Sequence, residues 1–297
     1  MRFFKRKLSA ILALMVLPIT VLAAQSSIHI VAAENFYGDI AAQIGGSHVQ
    51  VTSILSNPDQ DPHLFEASVS TAQALSHAQL VVYNGAGYDP WMGKLLAASA
   101  SSGRQTIVAG RLLHRKDGDN PHLWYDPATM PAVAKAITAA LEKLDPAGGP
   151  AYRRGLAHVL VSLQTLRDKV TSMRSRCAGL PVTATEPVFG YMAHALGFVM
   201  RNGGYQLAVM NDVEPSASQI KTFEKDLKAR RVRILFYNSQ VTDASTERAK
   251  RIAQAHGVPV VGVTETMPAG SHYQAWMMSQ LSEIEKALAG GEKARIG

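Results

Sequence analysis

Four residues of the 297-residue chain combine metal-compatible donor atoms with suggestive positions. His63 closes the turn-rich segment Asn57-Pro58-Asp59-Gln60-Asp61-Pro62-His63, and His122 lies in Asn120-Pro121-His122-Leu123-Trp124-Tyr125-Asp126-Pro127. Glu186 and Glu265 each follow a short β-branched, apolar run. Imidazole nitrogens and carboxylate oxygens are good donors for first-row divalent metals, and four protein donors can close the coordination shell. The carboxylates would have to offset nearby helix N-termini, which disfavour a cation. Taken singly, each position has a plainer reading. A His in a Pro-rich loop is commonly a surface residue, and Glu186 also fits a helix N-cap or a solvated loop.

The surrounding pattern supplies the elements that could bring these residues together. Strands are expected at 28–32, 49–55, 80–83 and 106–109, with helices at 36–44, 66–77, 88–100 and 127–144. The last helix has Asp126 as N-cap and Pro127 in its first position. After residue 177 the alternation resumes. Strands are expected at 181–185, 198–201, 233–237 and 258–264, and helices at 189–196, 216–230, 243–256 and 272–288. Such alternation indicates α/β architecture with mainly parallel sheets, whose ligand crevices form at the carboxyl ends of the strands. The two histidines fall in the first half of the chain and the two glutamates in the second, so a site between two lobes would draw equally on both.

Residues 147–177 interrupt the rhythm. Leu156, Val159, Leu160, Leu163, Leu166, Val170 and Met173 recur at spacings of three and four and form one helical stripe. A helix over this interval reaches roughly 45 Å, more than a single βα unit needs. A rigid connector fits better than a coiled coil. The expected organisation is a signal peptide at 1–24, an N-terminal lobe at 25–146, the connector helix at 147–177 and a C-terminal lobe at 178–297. No sequence repeat is evident between the halves.

A formal charge of +7 is compatible with a polyanionic partner, but it is unevenly distributed. Arg2, Lys5, Arg6 and Lys7 precede an apolar run at 8–22, with small residues following, and this is the pattern of a secretory signal. Without the leader, 26 basic and 23 acidic residues leave a net charge of +3. The basic stretch 221–233 is interleaved with Glu224 and Asp226 and reads as a solvated face, so no nucleic-acid partner is expected. Cys177 is the only cysteine, which excludes an intramolecular disulfide. With no Cys after the apolar run, the expectation is a periplasmic protein without a lipid anchor.

At these residues the chain resembles the metal-binding solute-binding proteins of zinc and manganese ABC importers, the cluster A-I or family 9 periplasmic proteins. The resemblance runs from Ala33-Glu34-Asn35-Phe36-Tyr37 to the helix with Tyr273, Trp276, Met277 and Met278. Asp61-Pro62-His63 and the stretch 76–85 follow the family pattern, and the segment around His122 is the most specific match. The resemblance implies two lobes joined by a long helix, and metal ligands at His63, His122, Glu186 and Glu265. Two departures stand out. Glu186-Pro187-Val188-Phe189-Gly190-Tyr191 carries Glu where many members have His, a feature associated with manganese. Glu265 stands where Asp is usual, leaving His272 or a water as the alternative fourth donor. The stretch 113–120 holds only His114, beside Arg115 and Lys116, and lacks the His-rich loop of many zinc members.

Together these features imply a non-enzymatic, monomeric binding protein that takes a divalent transition metal as cargo and hands it to an ABC transporter membrane permease. The two-imidazole, two-carboxylate set places Mn2+ slightly ahead of Zn2+. An exported metal-dependent hydrolase is the alternative, although neither HExxH nor G-x-S-x-G occurs. An adhesive role has no separate sequence feature.

Overall fold

The computed structural model describes residues 27–59, 62, 65–211, 213–241 and 243–296. The expected signal peptide and His63 lie outside the described residues. The first half of the chain contains strands β1 (Ile28–Glu34), β2 (Val49–Leu55), β3 (Leu80–Tyr83) and β4 (Gln105–Val108). Its helices are α1 (Asn35–Gly45), α2 (Val69–His77), α3 (Pro90–Ala98), α4 (Ala109–Leu112) and α5 (Thr129–Leu144). Helix α6 (Gly149–Cys177) follows. The second half contains β5 (Pro181–Ala184), β6 (Val199–Met200), β7 (Leu235–Asn238) and β8 (Val260–Val263). Its helices are α7 (Gly190–Ala195), α8 (Gly203–Met210), α9 (Ala217–Lys228), α10 (Ala244–Ala255) and α11 (Tyr273–Ile296).

Among the described residues all strand pairings are parallel, and each of the two sheets has four strands. Their orders are β2-β1-β3-β4 and β6-β5-β7-β8, so both halves repeat one topology although their sequences show no repeat. In each sheet the chain reverses direction of winding beside the first strand, and the crevice of such sheets lies at that switch point. Glu34 ends β1 and Asn84 follows β3; Glu186 follows β5 and Asn238 ends β7.

One core joins the lobes. Ile30, Val82 and Ile137 from the first half cluster with Val182, Phe236 and Trp276 from the second, and Val159, Leu163, Leu166, Val170 and Met173 of α6 lie among them. The apolar stripe of α6 is therefore buried along its length, as a connector requires. Smaller clusters lie under α2 and α3, and between α9 and α10. Polar contacts add to the joint. Asn35 Nδ2 donates to the Met267 carbonyl (2.7 Å), and Met267 N–H returns a bond to Asn35 Oδ1 (3.1 Å). Tyr273 O–H donates to the Trp124 carbonyl (2.6 Å).

Several boundaries differ from expectation. Helix α5 begins at Thr129, not Pro127, because the Asp126 carboxylate accepts from Ala128 N–H (2.9 Å) in a turn before the helix. Helix α3 begins at Pro90, a residue suited to the first helical position, so Tyr88 stands outside it. Helix α2 starts at Val69, where Ser68 Oγ caps Thr71 N–H (3.2 Å). Helix α8 was not anticipated: it opens on Gly203-Gly204 after Asn202 in the left-handed region (φ 61°), which reads locally as a turn.

Candidate metal centre

His122 is fully enclosed, and its ring is fixed from behind. Asn120 Oδ1 lies 2.7 Å from His122 Nδ1 and also accepts the His122 backbone N–H (3.1 Å). With Nδ1 as donor to Asn120, the lone pair of the neutral ring resides on Nε2. That atom is 3.5 Å from Glu265 Oε2, a contact between the first and second halves of the chain. Trp124 and Tyr88 set their rings at steep angles to the imidazole, with centroids 5.4 and 6.1 Å away.

Asn120 also builds the neighbouring segment. Its Nδ2 donates to the Pro187 carbonyl (2.8 Å), and Tyr191 O–H donates to the Asn120 carbonyl (2.9 Å). A Cβ at Gly190 would stand 2.9 Å from Asn120 Nδ2, which explains glycine there. Glu186, just before Pro187, has the extended backbone (φ −139°, ψ 161°) that a following proline enforces. This carries its side chain off the end of β5 into a buried position.

Glu265 is held at both ends. Its backbone N–H donates to Gln240 Oε1 (2.5 Å), which also accepts Thr266 N–H (2.8 Å). Its Oε1 accepts from Asn238 Nδ2 at 2.6 Å, and the same amide is 3.5 Å from Glu186 Oε2. Tyr88 reaches Glu265 with its hydroxyl; burial first, then the Glu265 and Glu34 carboxylates, push that phenol well above its ordinary range, so it stays neutral. Two enclosed carboxylates sharing one amide donor are costly to keep charged unless a cation compensates them.

Three of the four expected donors, His122, Glu186 and Glu265, therefore occupy one buried polar network. His63 lies outside the described residues, yet Pro62 and Phe65 on either side of it line a cavity of about 410 Å³ with Thr266, the neighbour of Glu265. Among the described residues, no three His, Cys, Asp or Glu side chains converge closely enough to enclose an ion. His272, the alternative fourth donor, is engaged elsewhere: its Nδ1 lies 2.6 Å from Asp39 Oδ1 on α1. Sequence reasoning did not single out Asn238, Gln240 or Tyr88. Asn238 was accessible by the rule that pointed to the glutamates, since it ends a parallel strand.

A second buried acid pair lies in the first lobe. Asp89 accepts N–H groups from Asn84 (2.7 Å) and Gly85 (2.8 Å), and the buried Glu34 carboxyl interacts with it. Burial, then the Asp89 charge, raises Glu34 well above the usual carboxyl range. Asn84 also takes Tyr37 O–H on its Oδ1 (2.8 Å) and donates to the Pro121 carbonyl (2.8 Å), which braces the residue before His122.

Two parallel-sheet βα lobes linked by one long helix define a distinct class of two-lobed protein. Within it, the model of the family described as "Zinc-uptake complex component A periplasmic" matches residues 30–287, and the chain belongs to that family. The chain is 25% identical over 268 residues to the zinc-binding protein AdcA of Streptococcus pyogenes, covering 78% of this chain but only about half (50%) of that relative's length. It is 26% identical over 289 residues to the manganese-binding lipoprotein MntA of Bacillus subtilis, covering 90% and 91% of the two chains. The structure of a periplasmic zinc-binding protein, TroA from Treponema pallidum, shares the fold with a TM-score of 0.73 at 22% identity, covering 89% of this chain and 99% of that one. Since relatives include lipoproteins, they lend no support to the expected absence of a lipid anchor.

Proposed function

We propose that this chain is the extracytoplasmic metal-capturing component of an ABC importer. It holds one divalent transition metal between its lobes through His63, His122, Glu186 and Glu265, then delivers it to a membrane permease without making or breaking a covalent bond. The observation that carries this reading is the contact of His122 Nε2 with Glu265 Oε2 (3.5 Å), made with the His122 tautomer already set by Asn120. Metal-bound histidines are typically oriented by such a partner on the other ring nitrogen. Glu186 joins the same network through Asn238, and Pro62, Phe65 and Thr266 line one cavity. Two imidazoles and two carboxylates accept zinc or manganese, and donor hardness by itself tilts toward manganese. The names of the relatives, zinc-binding and manganese-binding, support binding over catalysis.

Titration with Zn2+ and Mn2+ tests the reading. The purified chain should bind one equivalent, and alanine at any of the four positions should weaken binding at least about tenfold. Unchanged affinity in all four variants would refute the site.

A further inference from the structure

We infer that each lobe aims one cargo donor with the same device, an asparagine at the switch point of its sheet: Asn84 for His122 and Asn238 for Glu265. The inference rests on the proposed reading of His122 and Glu265 as metal donors, and it adds Asn84 as a positioning residue that acts through the Pro121 carbonyl.

The sheet registers make the two asparagines equivalent. Ala32 of β1 pairs with Val82 of β3, and Ala184 of β5 pairs with Phe236 of β7. Glu34 and Asn84 stand two residues beyond the first pair, and Glu186 and Asn238 two residues beyond the second. Each asparagine follows a tyrosine, Tyr83 or Tyr237, and precedes an aspartate by five residues, Asp89 or Asp243, within halves that otherwise show no repeat. Both are buried, and each has its amide oxygen held from within its own lobe. Asn84 Oδ1 accepts Tyr37 O–H (2.8 Å), and Asn238 Oδ1 accepts Gln240 N–H (3.1 Å). The orientation of each amide is thereby set, and its nitrogen is left to hold a donor segment.

In the first lobe that nitrogen clamps a turn. His122 is the central residue of an inverse γ-turn (φ −76°, ψ 56°), closed by Leu123 N–H on the Pro121 carbonyl (2.7 Å). Asn84 Nδ2 donates to the same carbonyl (2.8 Å) and ties the turn to the end of β3. A γ-turn has one backbone bond across three residues, so a second donor on its carbonyl restrains the rotation that would swing the imidazole away. In the second lobe Asn238 Nδ2 holds Glu265 Oε1 (2.6 Å). That oxygen keeps a second lone pair, so the bond orients the carboxylate without withdrawing it from a cation. One asparagine acts on the backbone beneath a donor, the other on the donor itself. Groups that orient metal ligands typically account for about 10- to 100-fold in affinity.

Calorimetric titration with Zn2+ and with Mn2+ on wild type, Asn84→Ala, Asn238→Ala, His122→Ala and Leu166→Ala tests this. Asn84→Ala and Asn238→Ala should each weaken both metals at least about tenfold. Leu166→Ala, which loosens the core of α6 without touching the turn, should keep wild-type affinity. Wild-type affinity in Asn84→Ala, while His122→Ala loses binding, overturns the inference. So does an equal loss in Leu166→Ala, which would make the effect one of general stability. If His122→Ala leaves both affinities unchanged, the metal reading itself fails and the inference with it. Should Asn84→Ala not fold, a crystal structure of the metal-loaded wild type decides. The Asn84–Pro121 bond is expected to persist with metal bound, and its loss on loading overturns the inference.

Discussion

His122 Nε2 stands 3.5 Å from Glu265 Oε2, although the two residues come from different lobes and are separated by the whole of α6. Both are buried, and each is braced from behind by an amide: His122 by Asn120 and Glu265 by Asn238. The pair is thus pre-positioned before any cation arrives. Asn120→Ala should lower metal affinity about 10- to 100-fold by releasing the tautomer and orientation of His122, even though Asn120 touches no metal. Calorimetric titration of the folded variant checks this; wild-type affinity would show that the brace is dispensable.

Shared packing across the lobes limits how far they can move. The core is continuous through α6, and α1 is tied to the second lobe by the reciprocal Asn35–Met267 bonds and the Asp39–His272 contact. Small-angle scattering should therefore show nearly the same radius of gyration with and without metal. Asn35→Ala removes both bonds and leaves the Met267 N–H and carbonyl without them, which should cost about 1–3 kcal/mol of unfolding free energy, measured by chemical denaturation.

The same continuity predicts one unfolding transition for both lobes. Leu166 sits in the middle of α6 and is almost wholly buried, so Leu166→Ala should destabilise the protein by about 2–5 kcal/mol. Fluorescence and circular dichroism should report coincident transitions in wild type and variant. Two separated transitions would show that the lobes fold independently.

The acid pair Glu34–Asp89 makes stability depend on pH in a defined direction. Burial holds the Glu34 proton in the folded protein to higher pH than in the unfolded chain, where the group titrates near 4.5. The folded state therefore binds more protons above that value, and stability contributed at low pH is lost as pH rises through the raised folded value. Glu34→Gln keeps the neutral shape and removes the titration. Its denaturation midpoint should fall less than that of wild type between pH 5 and pH 8. An equal fall in both proteins would place the titration elsewhere.

Much of the architecture was legible because it rests on strong local patterns. The strands 49–55 and 80–83 match β2 and β3 residue for residue, and the stripe from Leu156 to Met173 marks the buried face of α6. Helix starts were less legible where two signals compete, as at Asp126-Pro127, whose carboxylate caps a turn and not the helix. The repeated strand order was invisible because topology constrains apolar alternation and not residue identity. In the site, the donors His122, Glu186 and Glu265 could be picked out by chemical type and strand-end position. Asn238 met the same strand-end rule, but Gln240 and Tyr88 could not be ranked above other polar residues, since their roles depend on bonds across 25 and 177 residues of sequence.

The central claim is that one divalent metal is bound between the lobes by His63, His122, Glu186 and Glu265. Anomalous diffraction from crystals of the zinc-loaded and manganese-loaded protein tests it most directly. One peak is expected within coordination distance of His122 Nε2 and of a carboxylate oxygen of both Glu186 and Glu265, with His63 completing the shell. A peak at any other place in the molecule, or ligation that bypasses His122 and Glu265, would contradict it.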